Sequence, residues 1–199
     1  MSRPATLGCI LAGGGSRRMG ADKAGLALGG RPLVAHVAAR LRPQCDALVI
    51  AGPSGAPALA ATGLVVADDA LPGGLGPLAG VLTALRRAGE RFPFAVTAPV
   101  DTPFLPPDLV AGLHAARGDA SIVTAASGAR VHHVVALWST ALAEDLERAL
   151  ERDGVRRVEA FVARHRAAPA WWATTAGDPF DNVNTPADLA RAEARLAAG

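Results

Sequence analysis

The 199-residue chain carries 20 Lys or Arg against 18 Asp or Glu, a formal net charge of +2, on a half-apolar polymer. That balance argues against a bulk nucleic-acid binder, and no apolar run approaches the roughly 20 residues that a membrane span needs. Two cysteines, Cys9 and Cys45, far apart and in or beside apolar runs, fit neither a zinc spacing nor a disulfide framework. The expectation is one soluble domain over residues 1–199 in a reducing cytoplasm, with no secretory leader at Met1 to Ile10.

In chain order, a strand at Leu7–Ala12 empties into a Gly-rich loop, and a helix opens near Pro32 with Leu33, Val37 and Leu41 on one face. A strand at Ala47–Ala51 ends in the turn Gly52-Pro53-Ser54-Gly55. Another at Leu64–Ala67 runs into Asp68-Asp69 and the loop before Gly76. Pro77 suits the first turn of a helix striped by Leu78, Val81, Leu82 and Leu85 and stopped by Gly89. A strand at Phe94–Ala98 leads into Asp101-Thr102-Pro103, and a helix is expected from about Pro107 to Arg117. Strands at Ser121–Ala125 and Val134–Trp138 follow, then helical stripes through Leu142, Leu146, Leu150 and through Val158, Phe161, Val162. A short strand near Ala170–Thr174 precedes Thr185-Pro186-Ala187-Asp188, which reads as a capping box opening the last helix. This alternation predicts an α/β, Rossmann-like three-layer fold: a mostly parallel central sheet, helices on both faces, and ligands beyond the carboxyl ends of the strands.

Of the 20 basic residues, 19 are arginine and one is Lys23, which marks a place where a compact ammonium is wanted. It closes the loop Gly13-Gly14-Gly15-Ser16-Arg17-Arg18-Met19-Gly20-Ala21-Asp22-Lys23 after the first strand. This is no dinucleotide fingerprint, because Arg18 stands where a third glycine belongs. Nor is it a P-loop, because Ala21-Asp22 separates Gly20 from the lysine. Three glycines still let backbone N–H groups approach a polyphosphate, with Arg17, Arg18 and Lys23 to neutralise it.

Asp101, at a strand end and held by a proline-rich segment, suits Mg²⁺, or else a turn or helix cap. Asp68 is expected to face the same crevice, with Asp69 as the one-position alternative. Asn182 and Asn184, the only asparagines, fall just before the last helix, where an amide oxygen can ligate a metal or hold a loop. His132-His133 lacks zinc-ligand spacing, and no G-x-S-x-G elbow exists. The set describes phosphoryl-group chemistry without a covalent intermediate: a terminal phosphate is already an anionic nucleophile, and the protein must position it and stabilise a leaving pyrophosphate.

Leu11-Ala12-Gly13-Gly14, Arg18-Met19-Gly20 and Asp22-Lys23 resemble the signature loop of the molybdenum cofactor guanylyltransferases. Later blocks match in order: Asp68 before Gly76-Pro77-Leu78-Ala79-Gly80, then Asp101-Thr102-Pro103, then Arg130 and His132, then Asn182-Val183-Asn184-Thr185-Pro186. The resemblance implies a nucleotidyltransferase fold and transfer of GMP from GTP to the terminal phosphate of molybdopterin, with Mg²⁺ and release of pyrophosphate. By position it implies that Leu11, Ala12, Gly13, Gly14, Lys23, Ala51, Asp68 and Asp101 hold the nucleotide. Lys23, Asp101, Arg17 and Arg18 would serve catalysis, and Asp101 with Asn184 the metal. Gly76, Pro77, Leu78, Gly80, His132 and Asn182 are expected on the acceptor side, with shaping of the guanine side as the alternative for the turn from Gly76 to Gly80. A monomer is expected, meeting cofactor-delivery proteins or target molybdoenzymes only transiently.

Two positions depart from the family pattern: Ala51 replaces a nucleotide-contacting asparagine, and His133 replaces a proline. The cytidylyltransferase branch reads Leu-Ala-Ala-Gly where this chain has Leu11-Ala12-Gly13-Gly14, which favours guanine, since backbone without a Cβ can approach a purine. Other small-molecule phosphate nucleotidyltransferases, and a GTP-binding sensor or pterin carrier, are the alternatives.

Overall fold

A computed structural model describes residues 3–13 and 23–198. Gly14, Arg17 and Arg18, expected at the phosphates, lie outside the described residues.

The first strand, β1 (Thr6–Leu11), is buried along its whole length, as its run of Leu7, Cys9, Ile10 and Leu11 requires. After it come a tiny hairpin, β2 (Ala27–Leu28) and β3 (Arg31–Pro32), and helix α1 (Leu33–Leu41), which buries Leu33, Val34, Val37 and Leu41. β4 (Ala47–Ala51), the short helix α2 (Pro57–Ala60) and β5 (Val65–Ala67) extend one side of the sheet. Helix α3 (Pro77–Ala88) then carries the chain back across β1 to β6 (Phe94–Pro99) on its other side. α4 (Leu109–Ala116), β7 (Ile122–Ser127), β8 (Arg130–Ser139), α5 (Ala143–Glu151), α6 (Val158–Val162), β9 (Ala167–Trp172) and α7 (Pro186–Ala197) complete the chain.

Seven strands form one sheet in the order β5-β4-β1-β6-β8-β7-β9. Every pairing is parallel except the two made by β8, which runs against both β6 and β7. The mostly parallel α/β expectation is therefore met. The order reverses between β1 and β6, and this is the crevice where such sheets bind ligands.

One apolar layer packs α3, α5 and α6 on one face of the sheet, around Leu78, Leu82, Trp138, Leu146 and Phe161. The other packs α1 and α4, around Val37, Leu41, Leu109, Leu113 and Phe180. A small third cluster, Leu28, Leu33, Val183 and Ala192, pins α7 to the β2–β3 hairpin. Within the sheet, Trp138 Nε1 donates to Thr97 Oγ1 at 2.8 Å, and that hydroxyl donates to the Val134 carbonyl at 2.7 Å, so the buried indole is satisfied.

Besides shifts of one or two residues at β1, β5, β6 and β7, three element boundaries depart from expectation. α4 starts at Leu109 rather than Pro107, because the bond from Leu109 N to the Pro106 carbonyl closes a turn, Asp108 keeps a non-helical backbone (φ −108°, ψ 13°), and the helical bonds begin with Gly112 N to the Asp108 carbonyl at 2.8 Å. β8 begins at Arg130 rather than Val134 and forms a hairpin with β7 across Gly128-Ala129. β9 begins at Ala167, with Pro169 tolerated because the strand lies at the sheet edge.

Candidate active site

The backbone after β1 stays stretched between its neighbours: Ala12 N donates to the Ala51 carbonyl at 2.8 Å, and Val100 N donates to the Leu11 carbonyl at 3.0 Å. Leu11, Ala12 and Gly13 are thereby presented at the carboxyl end of β1, next to the end of β6. Asp101 follows β6 directly. The Thr102 hydroxyl, bonded to the Pro99 carbonyl at 2.6 Å, closes the turn, and Val183 N caps the Asp101 carbonyl at 2.9 Å.

Here the two ends of the chain meet. Lys23 Nζ lies 3.0 Å from Asp101 Oδ2 and also bonds Asn184 Oδ1, while Asn182 Nδ2 donates to Asp101 Oδ1 at 2.8 Å. Both charged side chains are largely shielded, 17% exposed for Lys23 and 13% for Asp101, so they face each other with little screening by water. Asn184 owes its position to the α7 capping box: Asp188 Oδ2 accepts from Thr185 N at 2.8 Å and from Asn184 N at 3.0 Å, and Thr185 Oγ1 accepts from Asp188 N.

The four side chains open into a cavity of about 500 Å³ whose walls include Leu11–Gly13, Gly76-Pro77, Pro99–Thr102, His132 and Phe180. That is room for a small-molecule ligand. A bulge builds one wall: between Thr124 and Ala125 the partner register jumps from Ala136 to His132, which pushes the intervening β8 residues out of the ladder and toward the cavity. His132 therefore lies within β8, not ahead of a strand, and burial holds its imidazole below the usual histidine range against the opposing pull of Asp178. A neighbouring cavity of about 330 Å³ beside α7 shares Arg130, Asn182 and Asn184.

Four expected positions sit differently. Asp68 is exposed and committed to the loop after β4, where its two oxygens accept from Ser54 N at 2.9 Å and Ser54 Oγ at 2.8 Å. Asp69 takes the inward place instead: a Cβ built on Gly13 would stand 3.2 Å from Asp69 Oδ2, and Asp69 Oδ1 is buried without a partner among the described residues. Burial, with the neighbouring Asp68 charge, raises the Asp69 carboxyl above the ordinary aspartate range. Ala51 is fully buried and offers only its carbonyl to Ala12. Leu78 is fully buried in the core and so does not touch an acceptor. Gly80 supports the floor from below, since a Cβ there would lie 2.9 Å from Leu11 Cδ2.

Gly76 and Pro77 do line the cavity, at the N-terminus of α3, where the positive end of the helix dipole favours an anion. Ser127 and Asp178 are polar residues of this region that motif reading did not single out, whereas Asp69 is the alternative it left open beside Asp68. Ser127 is recoverable only from the fold, because it reads as one more small residue at a strand end.

Residues 8–179 match the family model of the MobA-like NTP transferase domain. The chain belongs to the MobA-like NTP transferases. Membership makes it a nucleotidyltransferase, in keeping with a site of glycine loop, ammonium and strand-end carboxylate. A molybdenum cofactor guanylyltransferase of Bradyrhizobium sp. (strain ORS 278) is 47% identical over 198 residues, covering 96% of this chain and 92% of its own. One from Cereibacter sphaeroides is 49% identical over 191 residues, covering 95% and 96%. Among solved structures, the molybdopterin-guanine dinucleotide biosynthesis protein A of Archaeoglobus fulgidus superposes with a TM-score of 0.76 at 25% identity, covering 97% of this chain and 100% of that one. The same fold recurs in the 2-C-methyl-D-erythritol 4-phosphate cytidylyltransferase of Thermus thermophilus, TM-score 0.71 at 24% identity over 96% and 98% of the two chains.

Proposed function

We propose that this MobA-like protein is a molybdenum cofactor guanylyltransferase, moving GMP from GTP onto the terminal phosphate of molybdopterin. The observation that carries the chemistry is the convergence of Lys23, Asp101 and Asn184 beside the Gly13 backbone at the β1–β6 crevice. The acceptor comes from the relatives that share nearly half of this sequence.

In the reaction, an oxygen of the acceptor phosphate bonds to the α-phosphorus while the bond from that phosphorus to its bridging oxygen breaks, and pyrophosphate leaves with the electron pair. Lys23 neutralises charge on the departing phosphates, and the positive dipole end of α3 at Gly76-Pro77 favours an anion on the acceptor side. No side chain need remove a proton from an ionised phosphate.

Mg²⁺ fits the donors present. Asp101 Oδ2 and Asn184 Oδ1 already converge on the Lys23 ammonium, so two hard oxygens are arranged around a cation. Among the described residues no group of three His, Cys, Asp or Glu is placed to hold a metal, so substrate phosphates and water would complete the shell. When bound, Mg²⁺ would neutralise the triphosphate.

On the nucleotide side, Asp69 takes the role expected of Asp68. Its Oδ1, without a partner among the described residues and close to Gly13, suits the N–H donors of guanine. Among the described residues no helix is long and apolar enough to cross a membrane, and a cytoplasmic setting is the natural one for both substrates.

The deciding experiment is transfer of α-labelled GTP or CTP, in parallel with Mg²⁺, onto molybdopterin, with Asp101→Ala as the blank. Label from GTP supports the proposal. Label from CTP moves the protein to the cytidylyltransferase branch, and GTP binding without transfer overturns the acceptor.

A further inference from the structure

Ser127 Oγ stands between two partners, Asp178 Oδ1 at 2.8 Å and His132 Nε2 at 2.7 Å. A hydroxyl has one proton to give. A carboxylate only accepts, and Asp178 Oδ1 also takes the Phe180 N–H at 2.9 Å. An oxygen–oxygen contact of 2.8 Å with no proton between would set lone pair against lone pair, so the Ser127 proton lies toward Asp178. The lone pair of Ser127 then faces His132 Nε2, which must carry the imidazole proton. Asp178 Oδ2, 3.8 Å from Nε2, favours the proton on that same nitrogen.

The arrangement is stiff. Ser127 is 1% exposed and the His132 side chain 7%. The Phe180 ring lies against the imidazole, centroids 4.8 Å apart, and Arg195 holds the Asp178 carbonyl at 2.7 Å. Burial also disfavours a charged ring. His132 lines the large cavity, and its Nδ1 has no partner among the described residues.

We propose that Ser127 and Asp178 are positioning residues that hold His132 in its Nε2–H form, so that bare Nδ1 offers the acceptor side of the cavity a hydrogen-bond acceptor for a ring N–H or amino group. An aminopyrimidinone ring, such as the pterin of the proposed acceptor, presents donors of that class, whereas a phosphate presents none. The acceptor half of this inference rests on the proposed function. The tautomer half does not.

The test has two arms. In protein labelled with ¹⁵N-histidine, two-bond ¹H–¹⁵N spectra should show the His132 ring protonated on Nε2 only, and Ser127→Ala should lose that pattern. A ring protonated on Nδ1, or on both nitrogens, in the unsubstituted protein at pH 7.5 overturns the proposal without any variant. In transfer assays, Ser127→Ala and His132→Leu should each raise the KM for the pterin acceptor about tenfold, with the KM for GTP unmoved. An unchanged acceptor KM in His132→Leu, or equal rises for both substrates, overturns the recognition role. Failure of the unsubstituted protein to transfer GMP at all overturns the functional reading and the acceptor half with it, while the ring spectrum still decides the tautomer.

Discussion

Lys23 is the one lysine beside nineteen arginines, and its surroundings give the reason. A compact ammonium fits between Asp101 Oδ2 and Asn184 Oδ1, where a planar guanidinium fork would overrun the pair. Replacing Lys23 or Asp101 by alanine should lower kcat by about 10²- to 10³-fold, since each meets charge that develops during transfer. Thermal melts should stay within a few degrees of the parent, because both side chains lie at the cavity wall and outside the apolar clusters. Gly13 shows the opposite case, a residue whose value is the absence of a Cβ. Gly13→Ala would press on Asp69 Oδ2 from 3.2 Å, and the GTP-to-CTP ratio in transfer should fall as the carboxylate is displaced. Burial pushes the thiols of Cys9 and Cys45 up to about 12. At pH 8 neither is a thiolate, so iodoacetamide should leave the folded protein unlabelled and add two groups after denaturation. Which of two adjacent aspartates turns inward was beyond reach from sequence, because a loop after a strand keeps no period of two.

Among the elements, α7 was the most legible, since Thr185, Pro186 and Asp188 spell their own cap and the structure forms it with both reciprocal bonds. The cap also serves the site. Thr185→Ala should cost about 1 kcal/mol of stability, read as a lowered Tm. It should also slow transfer, because Asp188 holds Asn184 N as well as the cap and would be freed to move. β8 was the least legible. Its bulge breaks the alternation of in and out, so only the regular part after Val134 looked like a strand. The irregularity is what brings His132 to the cavity, and a pattern that stops being regular at the functional wall carries no local signal of where it points.

For the whole molecule, the sheet order explains why residues so far apart in sequence meet: β1 and β6 are neighbours at the switch point, and α7 docks its preceding loop across their ends. Stability at this scale should depend on pH through His114, packed edge-on against Phe94, bonded through Nε2 to Thr6 Oγ1 at 2.8 Å, with Nδ1 buried and unpartnered among the described residues. Burial first, then the charges of Arg3 and Arg117, push its pKa from 6.5 down to about 4. The unfolded chain takes up this proton near 6.5 and the folded chain only near 4, so the unfolded state binds more protons between those values. The contribution is complete above pH 6.5 and is lost as the pH falls toward 4. Thermal melts should show a lower Tm at pH 5 than at pH 7, and His114→Gln should flatten that difference.

Sequence was sufficient for the alternation of strands and helices, the mostly parallel sheet, the capped last helix, and for marking Lys23, Asp101, Asn182 and Asn184 one by one, although that these four meet came from the fold. Each of these leaves a local mark: an apolar period, a proline or capping residue, or a rare residue type at a strand end. Sheet order, the antiparallel β8, the inward turn of Asp69 rather than Asp68, the burial of Ala51 and Leu78, and the Ser127–Asp178 hold on His132 came from packing. They depend on contacts between segments distant in sequence, and a side chain's direction is set by what it packs against, which no local pattern records.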